Sequence, residues 1–177
     1  IRRQRQMCIR DRTEPIKLCQ MLVERGVRLI DLSTMMPRYQ PYGRGLMAEH
    51  EEGPEAEINP YKGTFDLLKA TKEIKDAVPG GIFVCTGLTW LEQFGGNVAA
   101  GGIRDGWFDL GGFGRQGFAY PDFAKDLLQD KTMYRNKCCV LCDKCYDLIQ
   151  IGHCQTGCVM RDQEVYLPLY KKNVLKK

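Results

Sequence analysis

Two glycine-containing turns and one arginine are the first residues of this chain that indicate chemistry. Gly87 ends a short apolar run at residues 82–86, and a glycine-rich segment at residues 111–115 ends a second run at residues 107–110. Glycines after a strand let a phosphate approach backbone N–H groups and a helix N-terminus, where the helix dipole favours anions. Arg115 adds a planar cation suited to phosphate. The pattern predicts a phosphate site, although such turns also serve tight loop geometry alone.

A cluster of cysteines forms the second candidate site, because six of the nine cysteines lie within residues 138–158. Cys139, Cys142 and Cys145 have the spacing C-x2-C-x2-C, and Cys158 follows after twelve residues. Four such thiolates fit an iron–sulfur cluster, and they equally fit tetrahedral zinc. Clustered cysteines without an apolar leader segment indicate metal binding in a reducing compartment. Three neighbouring side chains are spare candidate ligands, namely Cys138, His153 and Cys154.

The charge pattern disfavours nucleic-acid binding. The net charge of +4 is carried by residues 1–12, which hold five arginines and one aspartate, and the remainder of the chain is balanced. No basic face is left to attract a polyanion. Residues 1–12 resemble translated adapter sequence, so we expect a basic segment that is not native to the fold. No apolar run approaches the roughly 20 residues of a membrane helix, so we predict a cytoplasmic protein.

Hydrophobic periodicity and breaker residues predict alternating helices and strands. The predicted helices cover residues 13–25, 61–77, 91–104 and 121–128, and the predicted strands cover residues 27–32, 82–86 and 107–110. A proline-containing segment at residues 33–61 is too long for a plain connector. This alternation predicts an α/β fold with a parallel sheet.

Three strands are too few for a parallel sheet that stands alone, because its outer strands would be exposed edges. A (β/α)8 barrel takes roughly 250 residues, so we expect residues 13–130 to be the C-terminal part of a TIM barrel. Residues 131–177 would form a small cysteine-rich, metal-binding segment. Phosphate sites of such barrels are often built from the loops after the seventh and eighth strands, and the two glycine turns would be those loops.

The chain resembles the old yellow enzyme family, the NADH:flavin oxidoreductases that use a flavin on a (β/α)8 barrel. The segments IFVCTGL and GGFGRQGFAYPDFAKDLL carry the resemblance, together with the C-x2-C-x2-C…C tail. The tail is similar to that of the larger members related to 2,4-dienoyl-CoA reductase and trimethylamine dehydrogenase. Those members usually have one residue more between the second and third cysteines.

The resemblance implies FMN as the bound ligand. Gly87 on one turn, and Gly114 with Arg115 on the other, would hold the FMN phosphate. Leu88 stands where the family frequently has an arginine. The same resemblance implies a [4Fe–4S] cluster held by four cysteines, namely Cys139, Cys142, Cys145 and Cys158.

The implied activity is hydride transfer from NAD(P)H through FMN to an activated alkene as the small-molecule substrate. The cluster would pass electrons to a second flavin domain beyond residue 177. The family's substrate-binding and proton-donating residues come from earlier strands, so no catalytic residue is assigned here. We therefore expect a fragment that lacks the N-terminal half of its barrel and is unstable and inactive alone.

Two alternatives remain open at the level of the residues. The cysteines could hold structural zinc in a module without catalytic activity. The glycine turns could instead bind another phosphorylated ligand, such as a sugar phosphate.

Overall fold

A computed structural model describes residues 12–33 and 60–175. The predicted segment at residues 33–61 and the basic segment at residues 1–12 therefore lie almost entirely outside the described residues. In chain order the elements are α1 (Thr13–Glu24), β1 (Leu29–Leu32), α2 (Pro60–Ala77), β2 (Ile82–Cys85), a 3₁₀ helix (Leu88–Phe94), α3 (Gly95–Arg104), β3 (Leu110–Gly111), α4 (Gly114–Ala119), α5 (Phe123–Asp130), α6 (Lys144–Gln150) and α7 (Gln163–Asn173).

The three strands form one parallel sheet in the order β1-β2-β3. Leu29 pairs with Ile82 and Leu32 with Cys85, so β1 and β2 are in register over their whole length. β3 adds a short pairing of Leu110 with Val84. The predicted α/β class with a parallel sheet is confirmed. Among the described helices, none is both long enough and apolar enough to cross a membrane.

An apolar cluster joins α1 and α2 to the first two strands. Its buried members are Cys19 of α1, Ile30 of β1, Ile74 of α2 and Phe83 of β2, with Val78 just after α2. Phe83 is fully buried, and burying such a side chain contributes about 1.5–3 kcal/mol. These positions follow the helical and strand periods of the sequence. The apolar faces that those periods define therefore pack against one another in this cluster.

A second cluster lies on the part of the sheet that includes β3. Leu67 of α2, Cys85 of β2 and Phe108 pack together there. Burial raises the pKa of the Cys85 thiol, and it does the same for Cys19. Both thiols therefore stay protonated and serve as core residues, packed among the apolar side chains of these two clusters.

Two of the sequence predictions in this region are wrong in their boundaries. The predicted helix over residues 91–104 is a 3₁₀ helix over Leu88–Phe94 followed by α3, because Glu92 breaks the helix with φ 47° and ψ −121°. The predicted strand over residues 107–110 begins only at Leu110. The Trp107 N–H donates to the carbonyl of Gly102 at the end of α3, so that residue belongs to the helix-terminating turn.

The short helix α4 and the two helices of the cysteine segment have no counterpart among the predicted elements. The sequence of α4, GRQGFA, contains two glycines, which cost about 1 kcal/mol each relative to alanine in a helix interior. Tertiary packing stabilises this helix, and helix propensity does not, since Gln116 and Ala119 are buried. The predicted helix over residues 121–128 begins later, at Phe123, and ends at Asp130.

Two neighbouring glycines of α3 are expected to respond in opposite ways to alanine. A Cβ on Gly101 meets nothing within 4 Å, whereas a Cβ on Gly102 would lie 2.3 Å from the fully buried ring of Phe108. We expect Gly101→Ala to raise the free energy of unfolding by about 0.5–1 kcal/mol through helix propensity. Gly102→Ala should lower it by about 1–3 kcal/mol through overpacking. Chemical denaturation of both variants checks this, and equal effects would contradict the packing of Phe108.

The carboxylate of Asp109 stabilises the fold by an amount that depends on pH. The carboxylate accepts from Lys75 Nζ at 2.7 Å and from the Phe83 N–H at 2.9 Å. Burial acts to raise the pKa of Asp109, but these two hydrogen bonds outweigh it and lower that pKa. The stabilisation is therefore present above the unfolded pKa of about 3.9 and is lost as pH falls through the folded pKa.

Asp109→Asn tests the charge alone, because it removes the negative charge while the amide oxygen still accepts from the Phe83 N–H. At neutral pH we expect a loss of about 0.5–1 kcal/mol in the free energy of unfolding, discounted for the partial exposure of the pair. The difference from the unsubstituted protein should vanish in acid. Denaturation curves measured across pH test this, and a difference that persists below the folded pKa would refute the ionic role.

Candidate functional site

The two predicted glycine turns lie side by side at the carboxyl edge of the sheet. The Thr86 N–H donates to the carbonyl of Leu32, and the Gly112 N–H donates to that of Cys85 at 2.8 Å. A Cβ on Gly112 would stand 2.7 Å from Thr86 Oγ1, so only glycine permits this approach. Gly87 has φ 106°, in the left-handed region that glycine adopts without strain. One ligand at this edge could therefore contact both turns.

Gly114 is exposed and begins α4 beside open space. A Cβ on Gly114 would meet nothing within 4 Å, so protein packing does not require glycine there. The segment from residue 112 to residue 117, GFGRQG, has the spacing GxGxxG; it follows β3 and includes the first four residues of α4. Its context differs from a dinucleotide-binding unit, because α4 has only six residues and the next element is the helix α5. The expectation from the sequence that no GxGxxG spacing occurs, on which a Rossmann or P-loop site was disfavoured, is therefore wrong about the spacing.

Arg115 is held between the glycine turns and the cysteine segment. Its Nη1 donates to the carboxylate of Asp143, and its guanidinium lies over the Trp90 ring, 5.9 Å from the ring centroid. The side chains of Arg115 and Asp143 are only 19% and 13% exposed, so the ion pair is well shielded from water. A guanidinium has five N–H donors, which leaves this arginine chemically able to contact a phosphate as well. The sequence analysis did not identify Asp143 as a partner.

Cys139 and Cys142 lie on a tightly bent loop that leads into α6, and Cys145 lies in the first turn of that helix. Leu141 and Asp143, which flank Cys142, have φ values of 56° and 57° in the left-handed region. Such conformations are costly for residues with a side chain and often mark functional loops. The bend also aims the Leu141 N–H at Cys139 Sγ, at 3.4 Å. Backbone N–H groups aimed at sulfur favour the thiolate form that binds metal.

The four predicted cysteine ligands are electrostatic neighbours. Burial raises the pKa of Cys139, the charges of Cys158 and Cys142 raise it further, and Arg115 opposes them. Burial likewise raises the pKa of Cys145 to about 11, with contributions from Cys139 and Cys142 and with Arg115 again opposing. Neighbouring thiolates repel one another, so these thiols do not readily ionise together. A bound cation would offset this repulsion and would deprotonate the thiols that coordinate it.

The thiols nevertheless do not converge on a single point. Within residues 12–33 and 60–175, no group of three or more histidine, cysteine, aspartate or glutamate side chains is arranged to hold a metal ion. The donor chemistry of Cys139, Cys142, Cys145 and Cys158 fits a cluster or zinc, and the four would have to close in around it. Sulfur is the donor type that both iron–sulfur clusters and zinc prefer.

The spare cysteines have other neighbours. Cys138 Sγ lies 3.3 Å from the carbonyl oxygen of Tyr134. Cys154 Sγ lies 3.5 Å from the carbonyl oxygen of Leu148 and 3.7 Å from Asn173 Nδ2. His153 is exposed and has φ 46°. These contacts separate Cys138 and Cys154 from the four predicted ligands.

Three buried polar atoms without a hydrogen-bond partner lie on the segments that follow β2 and β3. They are Trp90 Nε1, Gln93 Oε1 and Gln116 Nε2. Gln116 is fully buried, and its Oε1 accepts from the Cys139 N–H at 3.0 Å. An unpaired buried polar atom costs about 1–3 kcal/mol, so three of them near one edge fit a region that binds a ligand or water. None of these three side chains was predicted from the sequence as part of a site.

Comparison with models of protein families, with curated proteins and with solved structures finds no significant match to this chain. The resemblance to the old yellow enzyme family therefore rests on the motif residues themselves. The residues that the geometry groups around the carboxyl edge are Gly87, Gly114, Arg115, Trp90 and Gln116, with Asp143 and the cysteine loop beside them.

Proposed function

We propose that this chain is part of an FMN-dependent NAD(P)H oxidoreductase of the old yellow enzyme type. Residues 13–130 would be the C-terminal part of its FMN-binding TIM barrel, and residues 131–177 its iron–sulfur segment. The substrate would be an activated alkene or a related acceptor. The remaining barrel strands and a further flavin domain would belong to the complete protein.

The position of Arg115 is the observation that carries this proposal. The two glycine turns lie at one edge of the sheet, and Arg115 sits beside that edge while it bonds to Asp143 of the cysteine segment. A phosphate held at the turns would thus lie close to the predicted cluster ligands Cys139 and Cys145, whose pKa values are raised by burial against the opposing charge of Arg115. Adjacent flavin and cluster sites are what electron transfer between them requires.

The residues of this chain would bind and orient the cofactor. Gly87 and Gly114 let the phosphate approach the backbone, and Arg115 supplies the charge. FMN, when bound, supplies the chemistry that accepts hydride from the nicotinamide and returns it to the acceptor. The unpaired Trp90 Nε1 is a buried donor close in sequence to the first of these turns, and it would be satisfied by ligand or ordered water.

Spectra of the complete protein that contains this chain test the proposal, because a fragment without the rest of the barrel is not expected to hold FMN. We expect flavin absorbance bands after reconstitution with FMN, with the released cofactor identified by mass spectrometry. A sugar phosphate or another phosphorylated compound in its place would favour the alternative ligand. Failure of the protein to retain any FMN would refute the proposed cofactor.

A non-catalytic zinc module is the second candidate, and the packing of the cysteine segment favours it. Leu148 is fully buried and Val159 is 2% exposed, so this segment has apolar side chains that pack without a flavin. Structural zinc in such a segment would stabilise its fold directly. Zinc without iron or flavin in the purified protein would support this candidate.

A further inference from the structure

A cavity on the outer side of the cysteine loop has no role in the proposed flavin chemistry. It has a volume of about 400 Å³, it is open to solvent, and its lining includes the buried residues Cys138 and Cys139. Arg135, Asn136 and Arg161 contribute donor groups to its wall, and Glu92 contributes the carboxylate. Its volume falls within the range of roughly 300–1,000 Å³ that is typical of small-molecule sites. A site of this volume is too small for a folded protein partner.

Arg161 is held in place on the wall of this cavity. Its Nε and Nη2 both donate to the carbonyl of Cys138, at 3.1 Å and 2.7 Å. Two of the five guanidinium donors are thereby used, and the planar group keeps a defined orientation. An arginine fixed in this way is preorganised for an oxyanion, because less side-chain freedom is lost when the ligand binds.

Arg135 already faces an oxyanion that belongs to the chain. Its Nε lies 3.7 Å from Glu92 Oε2, which is a loose contact, and the Arg135 side chain is 79% exposed. Glu92 reaches this position with φ 47° and ψ −121°, a backbone conformation that is costly for a residue with a side chain. Glu92 thus acts as a strained internal anion that an incoming ligand can replace.

We propose that this cavity binds a small oxyanion, either a carboxylate or a phosphate group, between Arg135 and Arg161. The two guanidinium groups and the Asn136 amide supply more donors than the single carboxylate of Glu92 can satisfy. The bound anion takes the place of Glu92 beside Arg135. It also contacts the cavity lining next to Cys139, so the ligand sits directly against the predicted metal segment.

Calorimetric titrations with inorganic phosphate and with succinate, at matched ionic strength, test the proposal. We expect binding of at least one probe, weakened several-fold by Arg135→Gln because one charge contact of an exposed guanidinium is lost. Glu92→Gln should instead tighten binding several-fold, because it removes the competing carboxylate. Arg104→Gln is the matched control, since Arg104 is exposed and pairs only with its neighbour Asp105 among the described contacts, and it should leave binding unchanged.

Arg115→Ala separates this cavity from the proposed flavin-phosphate site. Phosphate binding in the cavity should persist in that variant. Loss of binding in Arg115→Ala together with unchanged binding in Arg135→Gln would place the anion at the glycine turns and overturn the proposal. So would the absence of binding of both probes at millimolar concentration, or equal losses in Arg104→Gln and Arg135→Gln. Preference for phosphate over succinate, or the reverse, identifies the anion.

Discussion

Replacing Arg115 with alanine is expected to weaken the affinity for FMN at least about 10-fold. A charge-assisted contact between a guanidinium and a phosphate contributes about 1.5–3 kcal/mol, which corresponds to roughly 10-fold to 100-fold in affinity. Arg115 is only 19% exposed and lies over Trp90, so water screens this contact poorly. Flavin fluorescence titrated against each variant measures the effect.

Asp143 provides the comparison that assigns the role of Arg115. Asp143→Asn weakens the ion pair that joins Arg115 to the cysteine segment but keeps the cation at the glycine turns. We expect this variant to retain most of its FMN affinity. If both substitutions reduced FMN binding equally, Arg115 would act by joining the two segments instead of by contacting the phosphate. Unchanged FMN binding in Arg115→Ala would refute the assignment of Arg115 as a phosphate contact.

Replacing Cys145 with serine is expected to remove most of the bound metal. Serine is a hard, poorly ionised donor, and both iron–sulfur clusters and zinc require soft thiolates. Cys145 has electrostatic contact with Cys139 and Cys142, and its pKa near 11 shows how strongly its free thiol is kept protonated without a cation. Elemental analysis and labile-sulfide assay after anaerobic purification give the metal and its amount.

Cys154→Ser is the matched control for this experiment. Cys154 lies in the same segment, but its sulfur contacts the Leu148 carbonyl and Asn173 instead of the other cysteines. Metal content should therefore be unchanged in Cys154→Ser. Iron with sulfide in the unsubstituted protein would indicate a cluster, and zinc alone would indicate the structural alternative. Equal metal content in the two variants would exclude Cys145 as a ligand.

Local patterns in the sequence were sufficient for the elements with strong periodicity. The structure places α2 at Pro60–Ala77, one residue longer than predicted, and β2 at Ile82–Cys85, one residue shorter. In both elements the apolar spacing and the flanking glycines or prolines agree with the final packing. The parallel sheet followed from the alternation of these elements, because parallel strands need a crossover between them.

Long-range contacts decided the features that the sequence analysis missed. Phe108 belongs to an apolar run that resembles a strand, yet its ring fills the space above Gly102 while the backbone still turns out of α3. The glycine-rich α4 forms against its propensity because Gln116 and Ala119 are buried. Phe108 also packs against Leu67 and Cys85, and Gln116 bonds to the Cys139 N–H, so these partners lie outside any local window of the sequence.

The residue types and spacings by themselves determined the α/β class, the two glycine turns and the candidate ligands Cys139, Cys142, Cys145 and Cys158. Only the tertiary structure decided that Arg115 pairs with Asp143, 28 positions away, and that Glu92 and Arg135 face a common cavity. The physical reason is that an ion pair depends on distance in space. The sequence shows which charged residues are present, and only the fold determines which of them lie close enough to form an ion pair.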